Sequence, residues 1–517
     1  MNLVLGFILA LVPIIWLVIA LCVLKWPSSW SCVSSLAICA ILALIFFKMP
    51  VIDCLSAMLE GACFGLWPII LVIIAAMFTY NLTLKTGAMD IIKQMITSVS
   101  ADKRVLAILI GWCFAGFMEA MAGFGTAVAI PASMLVGLGF APLPTAVICL
   151  LSNAAPTVFG SIGIPTVTLA NVTGLNPLAL SALTVIQLAP YILFVPFLMV
   201  AIIGGGWKAI KGVGGLCLVA GLSFLIPEYV IGCFLGAELP VVAGSVISLI
   251  CCYLYARKDK DKPIPAEYDM RASLPEAQPL DGKKAFTAWL PFILIFIFLL
   301  LISKLIPPLY NVLSSVKTSV QFYTGDNPAT ITFSWIATPG VVIFLAAIIG
   351  GIAQKASGSD MAEVLGATFK QMTPTIITII SVLAMAKVMG YAGMISAIAA
   401  MCVAVVGTFY PYIAPLFGAI GAFITGSGTS SEVLFGKLQV ETATAVGASP
   451  IWIAAANSAG AGLGKVLSPQ CISIAASAVG NEPGLESKML SKTAKYVLWM
   501  LVLACIITGV GSYFVAA

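Results

Sequence analysis

Four charged side chains interrupt otherwise apolar sequence: Glu119, Lys387, Glu432 and Lys465. Inside a bilayer a charge at a helix centre costs at least about 2.5–3.5 kcal/mol, so each needs a partner, water or a task. Lys465 closes a Gly-rich segment and is placed to neutralise a substrate carboxylate; the plainer reading is a lysine that snorkels or caps a half-helix. Glu119 lies one helical turn before the Gly123–Thr126 stretch and is a candidate proton carrier, with a hydrated or backbone-capping acid as the alternative. Glu432 is the second candidate proton carrier, against a structural pair with Lys387 or Lys437. Lys387 either pairs with an acid or reaches an interface. Lys437 and Glu441 stand four apart, a spacing that predicts mutual neutralisation on one helix face.

Around these charges lie four segments rich in Gly, Ser, Asn and Pro, in two pairs. Glu119–Thr126 matches Ile424–Glu432, and Ser152–Pro165 matches Asn457–Pro469. Glycine permits positive φ and close backbone approach, and short polar side chains satisfy freed backbone groups. A helix starting at such a break presents unpaired N–H groups and its positive dipole end, which suits an anion. The candidate substrate-binding residues are therefore Gly123, Gly125, Thr126, Asn153, Ser161, Ser427, Gly428, Thr429, Ser430, Asn457, Ser458 and Lys465. The competing explanation is close helix packing by small residues, as in Gly460-Ala-Gly-Leu-Gly464.

The elements that carry these breaks must be membrane helices. Of 517 residues, 61% are hydrophobic and 9% charged, too few charges for the surfaces of soluble domains. Apolar runs at Leu3–Leu24, Trp67–Leu84, Phe286–Ile302, Ile331–Ile352 and Val497–Ala517 are long enough to cross about 30 Å of hydrocarbon as helix. The first run, without preceding basic residues or a small-residue cleavage site, reads as a retained span. The 14 cysteines are spread through apolar segments without metal-ligand spacing and read as small buried hydrophobes. With no histidine, any proton relay must use carboxylates, Lys, Tyr or water.

The two halves repeat. Trp67-Pro68 matches Thr373-Pro374 and Gly87 matches Gly393, both offset by 306 (374 − 68 and 393 − 87). Ser29-Trp30 matches Ser334-Trp335, and Asn153 matches Asn457. The Pro-rich, charged stretch 257–284 reads as a cytoplasmic linker between a first membrane repeat with extra spans (1–256) and a second (285–517). Basic Lys85–Arg104, Lys208–Lys211 and Lys488–Lys495, together with Lys25, favour the same side. Those placements make matching spans run in opposite directions. An inverted repeat with broken helices near the midplane is the architecture of secondary transporters. The expected fold is thus an all-α polytopic membrane protein of about 12 spans.

The motifs resemble the L-lactate permease family, also called lactate/glycolate permeases, over nearly the whole chain: Gly65-Leu-Trp-Pro68, Lys85-Thr-Gly87, Gly123-Phe-Gly125, Gly137-Leu-Gly-Phe140, Ala155-Pro156, Phe159-Gly160, Gly163-Ile-Pro165, Thr425-Gly-Ser427, Thr429-Ser-Ser431 and Gly464-Lys465 with Ser468-Pro-Gln470. The resemblance implies proton-coupled uptake of small 2-hydroxymonocarboxylates, such as L-lactate, D-lactate or glycolate, across the bacterial inner membrane. The tips also look like those of the broader ion-transporter superfamily, which implies re-entrant hairpins in an inverted repeat. Two residues depart from the pattern: Gly428 stands where family members commonly have Asp, and Glu432 where they have Asn. Lys387 also lies outside it. These departures leave the coupling ion open.

Three readings follow: proton symport of 2-hydroxy acids, a sodium-coupled or other anion transporter of the same fold, and a membrane receptor or enzyme. The last has no nucleotide loop, nucleophile–His arrangement or large soluble domain behind it. The expected partners are the organic anion, a coupling proton and membrane lipid, with no cofactor, metal or nucleic acid. The oligomeric state is open, with a homodimer allowed.

Overall fold

The computed structural model describes residues 2–24, 26–123, 125–259, 262–271, 281–302, 306–326, 330–480 and 484–515. Lys25, Phe124 of the first tip and the middle of the linker lie outside them. The chain starts with α1 (Leu3–Val18), α2 (Ser28–Ile45), α3 (Val51–Phe64), α4 (Leu71–Lys85), α5 (Ala88–Thr97), α6 (Lys103–Ile108) and α7 (Ala115–Met121). It goes on through α8 (Thr126–Gly137), α9 (Pro142–Asn153), α10 (Gly160–Thr173), α11 (Pro177–Ile203), α12 (Gly214–Phe234) and α13 (Pro240–Lys258). After the linker come α14 (Gly282–Leu301), α15 (Pro307–Ser315), a hairpin of β1 (Lys317–Gln321) and β2 (Thr330–Ser334), α16 (Pro339–Ala353), α17 (Gly358–Tyr391) and α18 (Met394–Val406). The chain closes with α19 (Ala414–Thr425), α20 (Gly428–Val446), α21 (Pro450–Lys465), α22 (Pro469–Val479) and α23 (Leu485–Gly511). Among the described residues 11 helices are long and apolar enough to span a membrane, and 12 if the bent pair α9 and Pro156–Thr173 counts as one.

Three expected spans shift. The run Ile331–Ile352 starts as β2, paired antiparallel with β1, and turns helical only at Pro339. Thr330-Ile-Thr-Phe alternates small polar and apolar β-formers, a strand pattern that the following apolar run hides. The last span is Leu485–Gly511, beginning upstream of Val497. Trp67–Leu84 is the second part of one span, Val51–Lys85, interrupted at Trp67, whose φ/ψ of −137/117 lies outside the helical region.

The halves follow one another in the same order, and one interface shows that they are inverted. The span Val51–Lys85 corresponds to α17, and the two lie side by side. Lys85 pairs with Glu363 at 3.1 Å, Asn81 donates to Thr368 and Gln371, and Gly61 abuts the backbone of Leu383 and Ala384. The end of one helix thus meets the start of its counterpart. At the same end of the molecule the guanidinium of Arg104 donates to the carbonyls of Ala209 and Lys211 and stacks 4.1 Å from the Tyr268 ring of the linker. Loops that the charge pattern assigned to one side therefore touch.

The span Lys103–Met121 is buried throughout, whereas α23, α2 and α14 expose most of their apolar surface around the perimeter. The enclosed span carries Glu119 near its C-terminal end.

Candidate functional site

The helix breaks converge on one cavity of about 160 Å³. Its walls come from both halves. The first half supplies Glu119 at the end of α7, Gly125 at the start of α8, and Thr157 through Pro165 at the bend between α9 and α10. The second supplies Thr425–Ser430 around the start of α20, Lys465 at the end of α21, and Gln470, Cys471 and Ile474 on α22. Pro27–Ser29 and the Pro374–Ile379 face of α17 close it.

Local chemistry explains each break. Gly125 has φ +90 and Gly426 φ +67, left-handed values that a Cβ disfavours. Ser427 caps α20 by accepting from the Ser430 N–H, and Ser468 caps α22 by accepting from the Cys471 N–H. In the α9–α10 bend Ser161, Ile162 and Gly163 all have positive φ, at 45, 59 and 76. For a β-branched residue such as Ile162 this is a strained conformation, of the kind that clusters at ligand sites. Ser161 donates to the Ala122 carbonyl at 3.0 Å and so ties the two tips of the first half together.

At the centre stands an ion pair between the halves. Lys465 Nζ donates to Glu119 Oε1 at 2.8 Å and to Thr157 Oγ1 at 3.1 Å, and all three side chains are buried. Glu119 Oε2 has no hydrogen-bond partner among the described residues. The first turns of α20 and α22 point their dipoles into the same space, adding positive potential. The cavity can therefore take an anion. Its volume lies well below the roughly 300–1,000 Å³ typical of drug-sized ligands, which restricts it to small ones.

Of the residues singled out from sequence, Glu119, Gly125, Ser161, Ser427, Gly428, Thr429, Ser430 and Lys465 line this cavity. The others stand behind it. Gly123 packs against Ser161, and its carbonyl accepts from Thr126 Oγ1 at 2.7 Å. The Asn153 carbonyl accepts from Thr157 Oγ1, and Ser458 is buried away from the cavity. Asn457 donates to Glu432 Oε2 at 2.8 Å and accepts from Gln439, which in turn accepts from the Tyr410 hydroxyl. Glu432 is fully buried one turn deeper than the cavity wall, and pairs with neither Lys387 nor Lys437. Gly428 is helical and carries no left-handed φ, so the conformational argument holds at Gly426 and Gly125 instead. Gly460, Gly462 and Gly464 meet the backbones of Pro415, Ala154 and Ala419, which is close packing.

Lys387 is paired after all. Its ammonium reaches Glu60 Oε1 at 2.5 Å, and the Tyr391 hydroxyl donates to the same carboxylate. Lys437 and Glu441 make no ion pair, against the expectation from their spacing. Sequence reasoning missed Glu60, Thr157 and the α17 wall. Thr157 lay inside the Ser152–Pro165 segment, and Pro374 was visible as the counterpart of Pro68.

Helices broken at membrane depth, inverted halves and a small charged cavity between them define a membrane transporter. The model of the family described as L-lactate permease matches residues 6–515. The L-lactate permease of Streptococcus iniae is 43% identical over 87% of this chain and 93% of its own length. The glycolate permease GlcA of Escherichia coli is 34% identical over 98% of this chain and 96% of its own length. Among solved structures MtrF of Neisseria gonorrhoeae is similar, with a TM-score of 0.51 and 14% identity, covering 94% of this chain and 96% of that one; that likeness concerns the fold alone. The chain belongs to the L-lactate permease family. It is a multi-pass membrane transporter and not an enzyme, and its bacterial relatives imply the cytoplasmic membrane.

Proposed function

We propose that this protein takes up small 2-hydroxymonocarboxylates, lactate and glycolate foremost, together with a proton, and that the Lys465–Glu119 pair is the coupling element. The substrates for which its relatives are named, L-lactate and glycolate, support the substrate class. The observation that carries the coupling is that the one lysine lining the cavity among the described residues is already neutralised by a carboxylate with a spare oxygen. An anion arriving alone would leave the buried site with a net negative charge, at a cost of several kcal/mol. A proton on Glu119 removes that charge and releases the ammonium of Lys465 for the incoming carboxylate. Empty and loaded sites are then both neutral, the condition for either to cross a low-dielectric barrier. The Ser and Thr hydroxyls of 427–430 and the N–H groups of the α20 first turn are placed to receive the carboxylate and the 2-hydroxyl. Because a proton enters with the anion, substrate affinity rises as pH falls.

Glu432 is the second candidate, because its Oε1 is buried without a partner. It lies off the cavity, so it acts on the site only through Asn457 and the helix start.

Uptake of labelled lactate into proteoliposomes tests the reading. An inward proton gradient should drive accumulation, a sodium gradient alone should not, and glycolate should compete. Accumulation driven by sodium alone would overturn the proton coupling, and no uptake of either acid would overturn the substrate class.

A further inference from the structure

Away from the transport cavity a second cavity of about 380 Å³ opens between the start of α9, the end of α11 and the first turns of α23. Its walls include Pro144, Leu198, Trp207, Lys492, Lys495 and Tyr496. Lys492 and Lys495 stand one turn apart on α23 and share a face. Among the described residues neither has an ion-pair or hydrogen-bond partner and no acidic side chain lines the cavity. Glu486, the acid earlier on α23, is engaged with Ser473 at 2.7 Å. Backbone at Gly205 and Gly206 leaves open space where a side chain would stand. Apolar surface adjoins the cavity: Phe194 of α11 packs on Trp207 with ring centroids 5.9 Å apart, and Leu498 and Trp499 are exposed on α23 one turn beyond Lys495. Trp and Tyr at such a level mark the membrane–water boundary. Lys208 and Lys211 on the adjoining loop belong to the same basic end as Arg104.

Two unpaired ammonium groups above an apolar groove at the cytoplasmic end fit a molecule with an anionic phosphate at the boundary and hydrocarbon chains beside it. We propose that this groove is a binding site for an anionic phospholipid, whose phosphate lies between Lys492 and Lys495 and whose chains run down the α11–α23 groove. Charge complementarity selects this occupant: basic pockets between membrane helices on the cytoplasmic side attract anionic headgroups, each lysine contributing to the attraction, whereas a zwitterionic lipid leaves the second ammonium unmatched.

The full-length protein in vesicles tests this. Fluorescence assigned to Trp207, as the difference between wild type and Trp207→Phe, is followed with brominated phosphatidylglycerol or brominated phosphatidylcholine in a phosphatidylcholine background. Brominated phosphatidylglycerol should quench at about tenfold lower mole fraction. Lys492→Gln with Lys495→Gln should erase that preference, and Lys492→Arg with Lys495→Arg should keep it. Lactate uptake by the Gln variant in phosphatidylcholine vesicles reports that it is folded. Equal quenching by both lipids, or a preference unchanged in the Gln variant, would overturn the site. Full protection by water-soluble glycerol phosphate would overturn the lipid assignment in favour of a soluble anion.

Discussion

Among the described residues two ion pairs join a first-half acid to a second-half lysine, while the exposed Lys85–Glu363 pair runs the other way. Glu60–Lys387 lies between α3 and α17, and Glu119–Lys465 between α7 and α21. They differ in what surrounds them. Glu60 has both oxygens engaged, one by Lys387 and both within reach of the Tyr391 hydroxyl, whose ring stacks on Tyr323 of the loop after β1 at 3.6 Å. The neighbouring Thr324 donates to Asp53 at 2.5 Å, pinning that loop to α3. Glu119 keeps one oxygen unengaged and faces a cavity. Burial and charge alone do not separate a structural pair from a working one; saturation of the hydrogen-bonding capacity does.

Among the charged residues the largest effect should come from Lys465→Ala. Losing the ammonium removes the charge that receives the substrate and strands Glu119 in a buried site. Lactate affinity should fall about 100-fold or more, with normal amounts of protein in the membrane. Lys465→Arg should also be poor, because a planar fork does not replace a point ammonium held by Glu119 and Thr157. Unchanged affinity in the alanine variant would place the anion elsewhere. Glu119→Gln should be next. The amide mimics the protonated acid, so counterflow exchange of substrate should survive while accumulation against a gradient disappears and the pH dependence of affinity flattens. A variant that still concentrates lactate would remove Glu119 from the coupling.

The scaffold pair should respond the other way. Lys387→Met leaves Glu60 buried beside Tyr391 alone and should cost about 3 kcal/mol of stability, read as a lower unfolding temperature in detergent. Adding Glu60→Leu should recover most of that loss, and uptake per folded molecule should stay near wild type in both. If the double variant folds but does not transport, the two pairs are not distinguished by saturation.

The contrast also shows what the sequence made legible. Glu119, Lys465 and the glycine-rich tips stand out because charge and backbone irregularity are rare at membrane depth. The repeat was visible in paired Pro, Ser-Trp and Gly landmarks and its inversion in the basic loops, and eight of the fourteen candidate residues line the cavity. The partners were not legible, because both pairs bridge positions more than three hundred residues apart. Glu60 escaped notice because the break at Trp67 made the apolar run seem to start there, hiding the earlier part of the same span. The Lys437–Glu441 spacing misled, since a permitted helical pair need not form.

Glu432 tests whether a buried acid matters when it misses the cavity. Sequence leaves two readings of Glu432, an acid that stands in for the Asp absent at Gly428 and a structural pair with Lys387 or Lys437. In the structure its carboxylate serves Asn457, within a chain of hydrogen bonds that runs through Gln439 to Tyr410. Glu432→Gln retains an oxygen for the Asn457 amide, so proton-driven accumulation should persist with a rate change of about threefold or less. Loss of accumulation with intact exchange would move the coupling from Glu119 to Glu432.

The smallest effect should be at Gly428, and its value lies in comparison with Gly125. Both line the cavity at the start of a helix in matching tips. At Gly125 the backbone is left-handed, and an added Cβ would lie 2.6 Å from Ile474 Cδ1. Both strain and contact oppose a side chain there, so Gly125→Val should abolish transport, and even Gly125→Ala should cost about 1–2 kcal/mol from backbone strain alone. At Gly428 the backbone is helical, and the Cβ would meet Thr157 Cγ2 at 3.3 Å and Pro165 Cγ at 3.8 Å. Movement of a few tenths of an ångström by Thr157 suffices, although Thr157 also accepts from Lys465. Gly428→Ala should therefore raise KM for lactate about two- to threefold and leave the maximal rate and folding unchanged. A loss as large as that at Gly125 would mean that the substrate occupies the space above Gly428 itself, and that the second tip, like the first, is shaped for close approach and not only for capping.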